Sequence, residues 1–176
     1  MLLPDEASYF QTIIGVMRWM VELGRIDIAV KLLQLSSFLV MPRKGHLVNA
    51  LRVMSYFNIK HNSRLVLDPS YPGIDMSEFK SNENWAPFYG GVQEAKPLNA
   101  PKPLDKEVTL RIFVDSDHVG DKIGHHSWRG FVIFVNMAMT TWHTKNQATV
   151  EGSVFGAKFV AMKQSVEALR GIRFKL

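Results

Sequence analysis

Residues 113–121 read Phe-Val-Asp-Ser-Asp-His-Val-Gly-Asp and set three carboxylates, Asp115, Asp117 and Asp121, close together in the chain. Carboxylate oxygens are what hard divalent cations such as Mg²⁺ or Mn²⁺ select, so Asp115 is the first candidate metal ligand, with Asp117 and Asp121 behind it. Aspartates after a strand also make turns, and an isolated Asp-Ser-Asp would be read that way. His118, His125 and His126 stand nearby. Zinc would need a third soft ligand at fixed spacing, so these are read as solvent-exposed loop histidines.

The elements around the carboxylates favour chemistry over a plain turn. Val108 to Val114 alternates as a strand does and would carry Asp115 at its end. Gly130 to Val135 and Met139 to His143 are two further β-branched and aromatic runs, joined by Asn136 to Ala138 as a hairpin connection. The period then changes. From a candidate cap at Ser153, the apolar residues Phe155, Phe159, Met162, Val166, Leu169 and Ile172 fall at helical spacing and predict the packed face of a helix.

Upstream, Phe10, Ile13, Met17 and Met20 mark a helix over 6–23 that Gly24 ends. Asp27 is placed to cap a second helix, with Ile28, Leu32, Leu35 and Leu39 inward, which Pro42 would end. A third helix is expected over 44–58 with Leu47, Leu51 and Met54 inward, and Arg64 to Leu67 is a short strand candidate. Methionines such as Met17, Met54 and Met162 are read as core filling, and Arg18, Lys31 and Arg52 as solvated helix faces. Six of the eight prolines lie between Pro69 and Pro103, so residues 69–107 are read as a linker. Its Trp85, Phe88 and Tyr89 are expected to pack on a neighbour. The fold class is therefore α/β: a helical segment over 1–68, an irregular proline-rich linker, and three antiparallel strands with one packed helix over 108–176.

In this order and wording the C-terminal third resembles the ribonuclease H domain of copia-type retrotransposon polyproteins. The family's first strand ends in aromatic-(Ser/Val)-Asp-x-Asp-x-x-Gly-Asp, matched at 113–121. A Ser-x-x-Gly-(Phe/Tyr) element follows at Ser127, Gly130 and Phe131. Trp142, Thr144, Lys145, Gln147, Thr149 and Val150 then match Trp-x-(Ser/Thr)-Lys-x-Gln-x-Thr-(Val/Ile). Tyr9-Phe10-Gln11 with Ile13-Ile14-Gly15, Arg25-Ile26-Asp27-Ile28, Pro42, His46 and the helix through Tyr56 look like the thumb or connection region after the reverse transcriptase palm. The resemblance is weakest over 70–107.

What the resemblance implies is RNA/DNA hybrid processing. Ribonuclease H enzymes cut the RNA strand of a hybrid with two divalent ions, Mg²⁺ or Mn²⁺, held by carboxylates from several elements. Asp115 matches the family's first metal ligand. The second is expected on the helix, where the family writes Glu-(Tyr/Phe)-(Ile/Val)-Ala. This chain writes Lys158-Phe159-Val160-Ala161, so Lys158 stands at the glutamate position. Glu151 is about two helical turns, or roughly 10 Å, too early, and Glu167 lies farther along and turned away. The third expected aspartate and the palm's Tyr-x-Asp-Asp would fall beyond Leu176 and before Met1. The expectation is a truncated, catalytically inactive remnant with no complete catalytic set, in which Lys158 either turns toward Asp115 and Asp117 as a built-in counterion or runs out to solvent along its apolar stem. Two alternatives stay open: a live nuclease completed by a partner chain, such as another polyprotein segment, or a non-catalytic basic module that binds nucleic acid.

Composition fits this reading. A formal charge of +5 would favour a polyanion such as an RNA/DNA hybrid, and 47% hydrophobic content belongs to a globular chain. The absence of cysteine rules out disulfides and thiolate–zinc sites. No apolar span of membrane length and no basic start are present, so the expected setting is cytoplasmic or nuclear, neither secreted nor membrane-bound. Phosphate-loop, dinucleotide, metalloprotease and serine-elbow signatures are all missing.

Overall fold

Pro4 opens the first helix, where its missing N–H costs no bond, and Glu6 Oε2 accepts from the free Leu3 N–H at 2.9 Å. These features start α1 (Pro4–Glu22) in the computed structural model, which describes residues 1–75, 77, 84, 86–91, 95, 98–100, 102, 107–121 and 124–176. Gly24 ends it with φ +108°, a conformation that side chains disfavour. After a 3-10 turn at Ile26–Ile28 come α2 (Ala29–Ser36) and α3 (Lys44–Ile59). Phe10, Ile13, Ile14, Met17 and Val21 of α1 meet Ile28, Leu32, Leu35, Ala50, Val53 and Phe57 in one core. Arg18, Lys31 and Arg52 are exposed, as the polar faces of these helices require.

Four expectations for this half are corrected. Asp27 makes no cap bond to α2. Its carboxylate instead takes a bidentate pair from Arg25, at 3.0 Å from Nε and 2.8 Å from the guanidinium NH2, and a 2.9 Å bond from the Tyr56 hydroxyl. A planar guanidinium one residue from the turn outcompetes the backbone for that carboxylate. Second, α2 stops at Ser36, ahead of Pro42. Third, Arg64 to Leu67 forms no strand, and fourth, on α3 Ala50, Val53 and Phe57 are the most buried while Leu51 is exposed.

The Arg25 pair holds the Asp27 carboxyl below its ordinary value, with Tyr56 adding to the effect. A depressed folded-state value means that the clamp stabilises fully above the unfolded aspartate range, about pH 4, and is lost as pH falls through the folded-state value. Asp27→Asn is therefore expected to lower stability in urea unfolding at pH 7, and the gap from the parent chain should close at low pH. An unchanged gap would mean that packing, not charge, makes the clamp.

Between the halves, Ala86–Tyr89 forms a single helical turn, α4, on which Phe88 is 77% exposed. Trp85, offered as a packing residue, lies outside the described residues. The start of the proline-rich stretch is fastened to the sheet: Pro69 O accepts from Asn136 Nδ2 at 3.1 Å, Ser70 O accepts from Met137 N at 3.1 Å, and the Tyr71 hydroxyl donates to Glu107 O.

The sheet is antiparallel, in the order β1 (Leu110–Asp117), β2 (Trp128–Val135), β3 (Ala138–Asn146). Asn136, at φ +55°, makes the tight β2–β3 turn. β1 starts two residues later than expected and runs on to Asp117, so Asp115 sits inside the strand, opposite Gly130. Alternation puts Phe113, Asp115 and Asp117 on one face with Val132 and Trp142, and Ile112, Val114, Ser116 and Ile133 on the other. α5 (Val154–Arg173) starts at the expected cap, where Ser153 Oγ accepts from Gly156 N at 3.0 Å, and packs against β1 and β2. The architecture is thus mixed α/β, with N-terminal helices, a three-stranded antiparallel sheet and a C-terminal helix.

The face that α5 turns to the sheet corrects the sequence reading. Ala157, Ala161 and Ser165 are the buried residues, while Phe155, Phe159, Met162 and Val166 point outward. Small side chains let a helix axis approach a sheet closely, and the Gln147 amide, donating to Ala157 O at 2.7 Å, holds it there.

Candidate functional site

Asp115 projects from an edge strand, since β1 has β2 as its neighbour on one side and, among the described residues, no strand on the other. Its carboxylate is open to solvent, and the face it shares with Phe113 looks into a cleft of about 510 Å³ closed on the far side by Ile26, Ala29, Val30 and Leu33. Trp142 on the same face anchors the cleft by donating its indole N–H to Val21 O at 3.1 Å. One tryptophan therefore ties the sheet to the helical core.

Lys158 lies one residue beyond the buried Ala157, on the flank of α5, and its Nζ stands 3.8 Å from Asp115 Oδ1. Both side chains are largely exposed, at 59% and 86%. Solvent screens such a pair, so its importance is in what it occupies more than in stability. The ammonium faces one oxygen of the carboxylate that a cation would need.

Asp117 lines the same cleft as Asp115, whereas Asp121 does not. Asp117 Oδ2 turns over Gly120, where a built Cβ would stand only 2.7 Å from it, so any side chain at 120 would displace that carboxylate. Asp121 Oδ2 turns likewise toward Gly124, and the Asp121 N–H donates to His126 O at 3.0 Å. Among the described residues no three His, Cys, Asp or Glu side chains come together as a metal group. Val119 and His125, with φ of +56° and +54°, turn the loop after β1 tightly.

The loop histidines differ from one another. His125 is exposed as expected, whereas His118 is half-buried and its Nε2 lies 3.0 Å from Glu151 O, joining the β1 end to the turn before α5. Glu151 is held locally, accepting from Thr149 Oγ1 at 2.8 Å. It does not reach Asp115.

The remaining motif residues position the site. Ser127 is fully buried and its Oγ accepts from Val119 N at 3.3 Å, fixing the loop after Asp117. Gln147, also buried, donates from its backbone N–H to Ser127 O at 2.8 Å and from its side chain to α5. This Ser127–Gln147–Ala157 chain sets α5 over β1, and with it Lys158 beside Asp115.

No family model, no curated protein and no solved structure matches the chain. No helix among the described residues is long and apolar enough to cross a membrane.

Proposed function

We propose that this chain is a non-catalytic relative of the helix–ribonuclease H segment of copia-type retrotransposon polyproteins, acting on RNA/DNA hybrid in the cytoplasm or nucleus by binding alone. One observation carries the reading: the 3.8 Å approach of Lys158 Nζ to Asp115 Oδ1. The resemblance expects a glutamate at 158 and a metal ion between the two residues. The residues present do not favour a divalent ion, because the one described acid of the expected set has a positive charge facing it, which weakens its attraction for a cation. The element order of strand, hairpin and capped helix supports the family assignment. The formal charge of +5 supports a polyanionic partner.

The test is metal binding by NMR with Mn²⁺ as a paramagnetic probe. In the parent chain, signals of residues around Asp115 should not broaden selectively at millimolar Mn²⁺. Lys158→Ala should make them do so, because the carboxylate then lacks a counterion. Selective broadening in the parent, or none in the variant, would remove the counterion role. Hybrid binding should weaken steeply with added salt, and salt-independent binding would count against phosphate contacts.

A further inference from the structure

On the sheet face opposite Asp115, two neighbouring rungs of the β2–β3 ladder carry side chains that the cleft does not use. Arg129 stands directly opposite Lys145, and on the next rung of that face Phe131 stands opposite His143. Like charges facing each other across a ladder repel, so an arginine–lysine rung destabilises the sheet unless an anion lies on it. Its neighbour on β1, Ser116, is neutral. Among the described residues the ion pairs are Arg25–Asp27 and Lys158–Asp115, and neither Arg129 nor Lys145 belongs to one. Arg129 Nε is buried without a hydrogen-bond partner, and burial alone pulls the guanidinium below its ordinary value.

The surrounding acids do not cancel the rung. Glu22 of α1 faces His143, but Arg18 of the same helix lines that groove with it. Glu151 is bonded to Thr149. Glu167 lies ten residues beyond Ala157, or ~15 Å along α5 from the residue that Gln147 ties to this end of the sheet.

Beside the two cations stands a π-surface. The rings of Phe131 and His143 stack with centroids 5.3 Å apart and 29° between their planes. Phe131 covers one side of the imidazole, and His143 is exposed on the edge strand β3, so its other side faces out. Burial, then Arg129 and Lys145, hold the His143 ring below the ordinary histidine value against Glu22, which leaves it neutral at pH 7 and able to stack as an aromatic. The two rungs lie about 7 Å apart along the strands, a separation that one nucleotide spans from phosphate to base.

We propose that Arg129, Lys145, Phe131 and His143 form a platform for single-stranded nucleic acid, in which the two cations hold backbone phosphate and an unpaired base extends the Phe131–His143 stack. A single strand is the occupant because a base inside a duplex has both faces covered by its neighbours, whereas an unpaired base offers one to an aromatic ring. The inference rests on the nucleic-acid reading and adds to it a second strand site, remote from Asp115.

The test is fluorescence anisotropy of the full chain with a labelled oligothymidine of about twelve nucleotides, run beside the RNA/DNA hybrid. The parent chain should bind the oligonucleotide. Lys145→Glu should weaken this tenfold or more, and Lys145→Ala should lower the slope of log affinity against log salt by about one. His143→Ala should weaken binding about tenfold without changing that slope, and His143→Phe should restore it. Both positions are exposed, so the circular dichroism spectra should match the parent's. An abasic strand of the same length should bind more weakly and be indifferent to His143→Ala. Loss with Lys145→Glu but not with His143→Ala would overturn the stacking, and with it the choice of a single strand. Hybrid binding without oligonucleotide binding, or oligonucleotide binding that neither variant weakens, would overturn the platform and leave the hybrid reading standing. Failure of the parent to bind either nucleic acid would overturn both.

Discussion

Phe10→Ala is expected to lower the stability of the chain by about 3–5 kcal/mol, the largest effect of any single truncation in the helical half. Phe10 is fully buried at the centre of α1, among Ile14 and Met17, in the core that α1, α2 and α3 share. Removing the ring takes away its transfer energy and also leaves a void, which three helices joined by short turns cannot easily close. The sheet feels the change too. Trp142 packs against this core and bonds to Val21 O, so a shift of α1 moves the wall of the cleft. Urea unfolding followed by far-ultraviolet circular dichroism gives the size, and tryptophan fluorescence reports whether Trp142 moves with it. A loss below about 1 kcal/mol would mean that the core around α1 is far more plastic than its burial implies.

Ala161→Leu is the second large effect, about 1–3 kcal/mol, and it acts on the other half. Ala161 is almost fully buried against the sheet, and three added carbons have nowhere to go unless α5 lifts away. Lifting α5 stretches the Gln147–Ala157 bond and draws Lys158 back from Asp115. The same variant should therefore behave partly like Lys158→Ala, with Mn²⁺ broadening signals near Asp115. Phe159→Leu, on the outer face, should cost little. If the two substitutions cost the same, the small residues are not the packed face.

The contrast between Ala161 and Phe159 shows what could and could not be read from residues alone. The strand–hairpin–helix order, the Ser153 cap and the Gly24 stop were all legible, because each rests on local chemistry: alternation, a side chain that bonds a free N–H, a backbone angle that suits glycine. Which face of α5 meets the sheet was not. Helical periodicity finds the largest apolar stripe, but closeness of approach picks the smallest residues, and both stripes lie on the same helix. Met17 filled the core as read, whereas Met162, chosen by the same rule, lies outside it.

The site was legible to a similar degree. Asp115 and Lys158 were paired in the sequence reading through the resemblance, and they stand 3.8 Å apart. The orientations of Asp117 and Asp121 were hidden, because each carboxylate lies against a glycine, Gly120 or Gly124, that only the folded loop brings to it. Asp27 shows the same limit. A cap and an ion pair use the same oxygens, and only the position of Arg25 and Tyr56 in space decides between them.

The central claim is that a lysine has taken the place of metal chemistry beside Asp115. It is tested most directly by incubating the purified full chain with a labelled RNA/DNA hybrid in Mg²⁺ and, separately, in Mn²⁺, and resolving the RNA strand on a denaturing gel. The account predicts an intact RNA strand, and an intact strand again for Lys158→Glu, since no third acid converges on Asp115 among the described residues. RNA-strand cleavage by the parent chain that disappears in Asp115→Asn would contradict it.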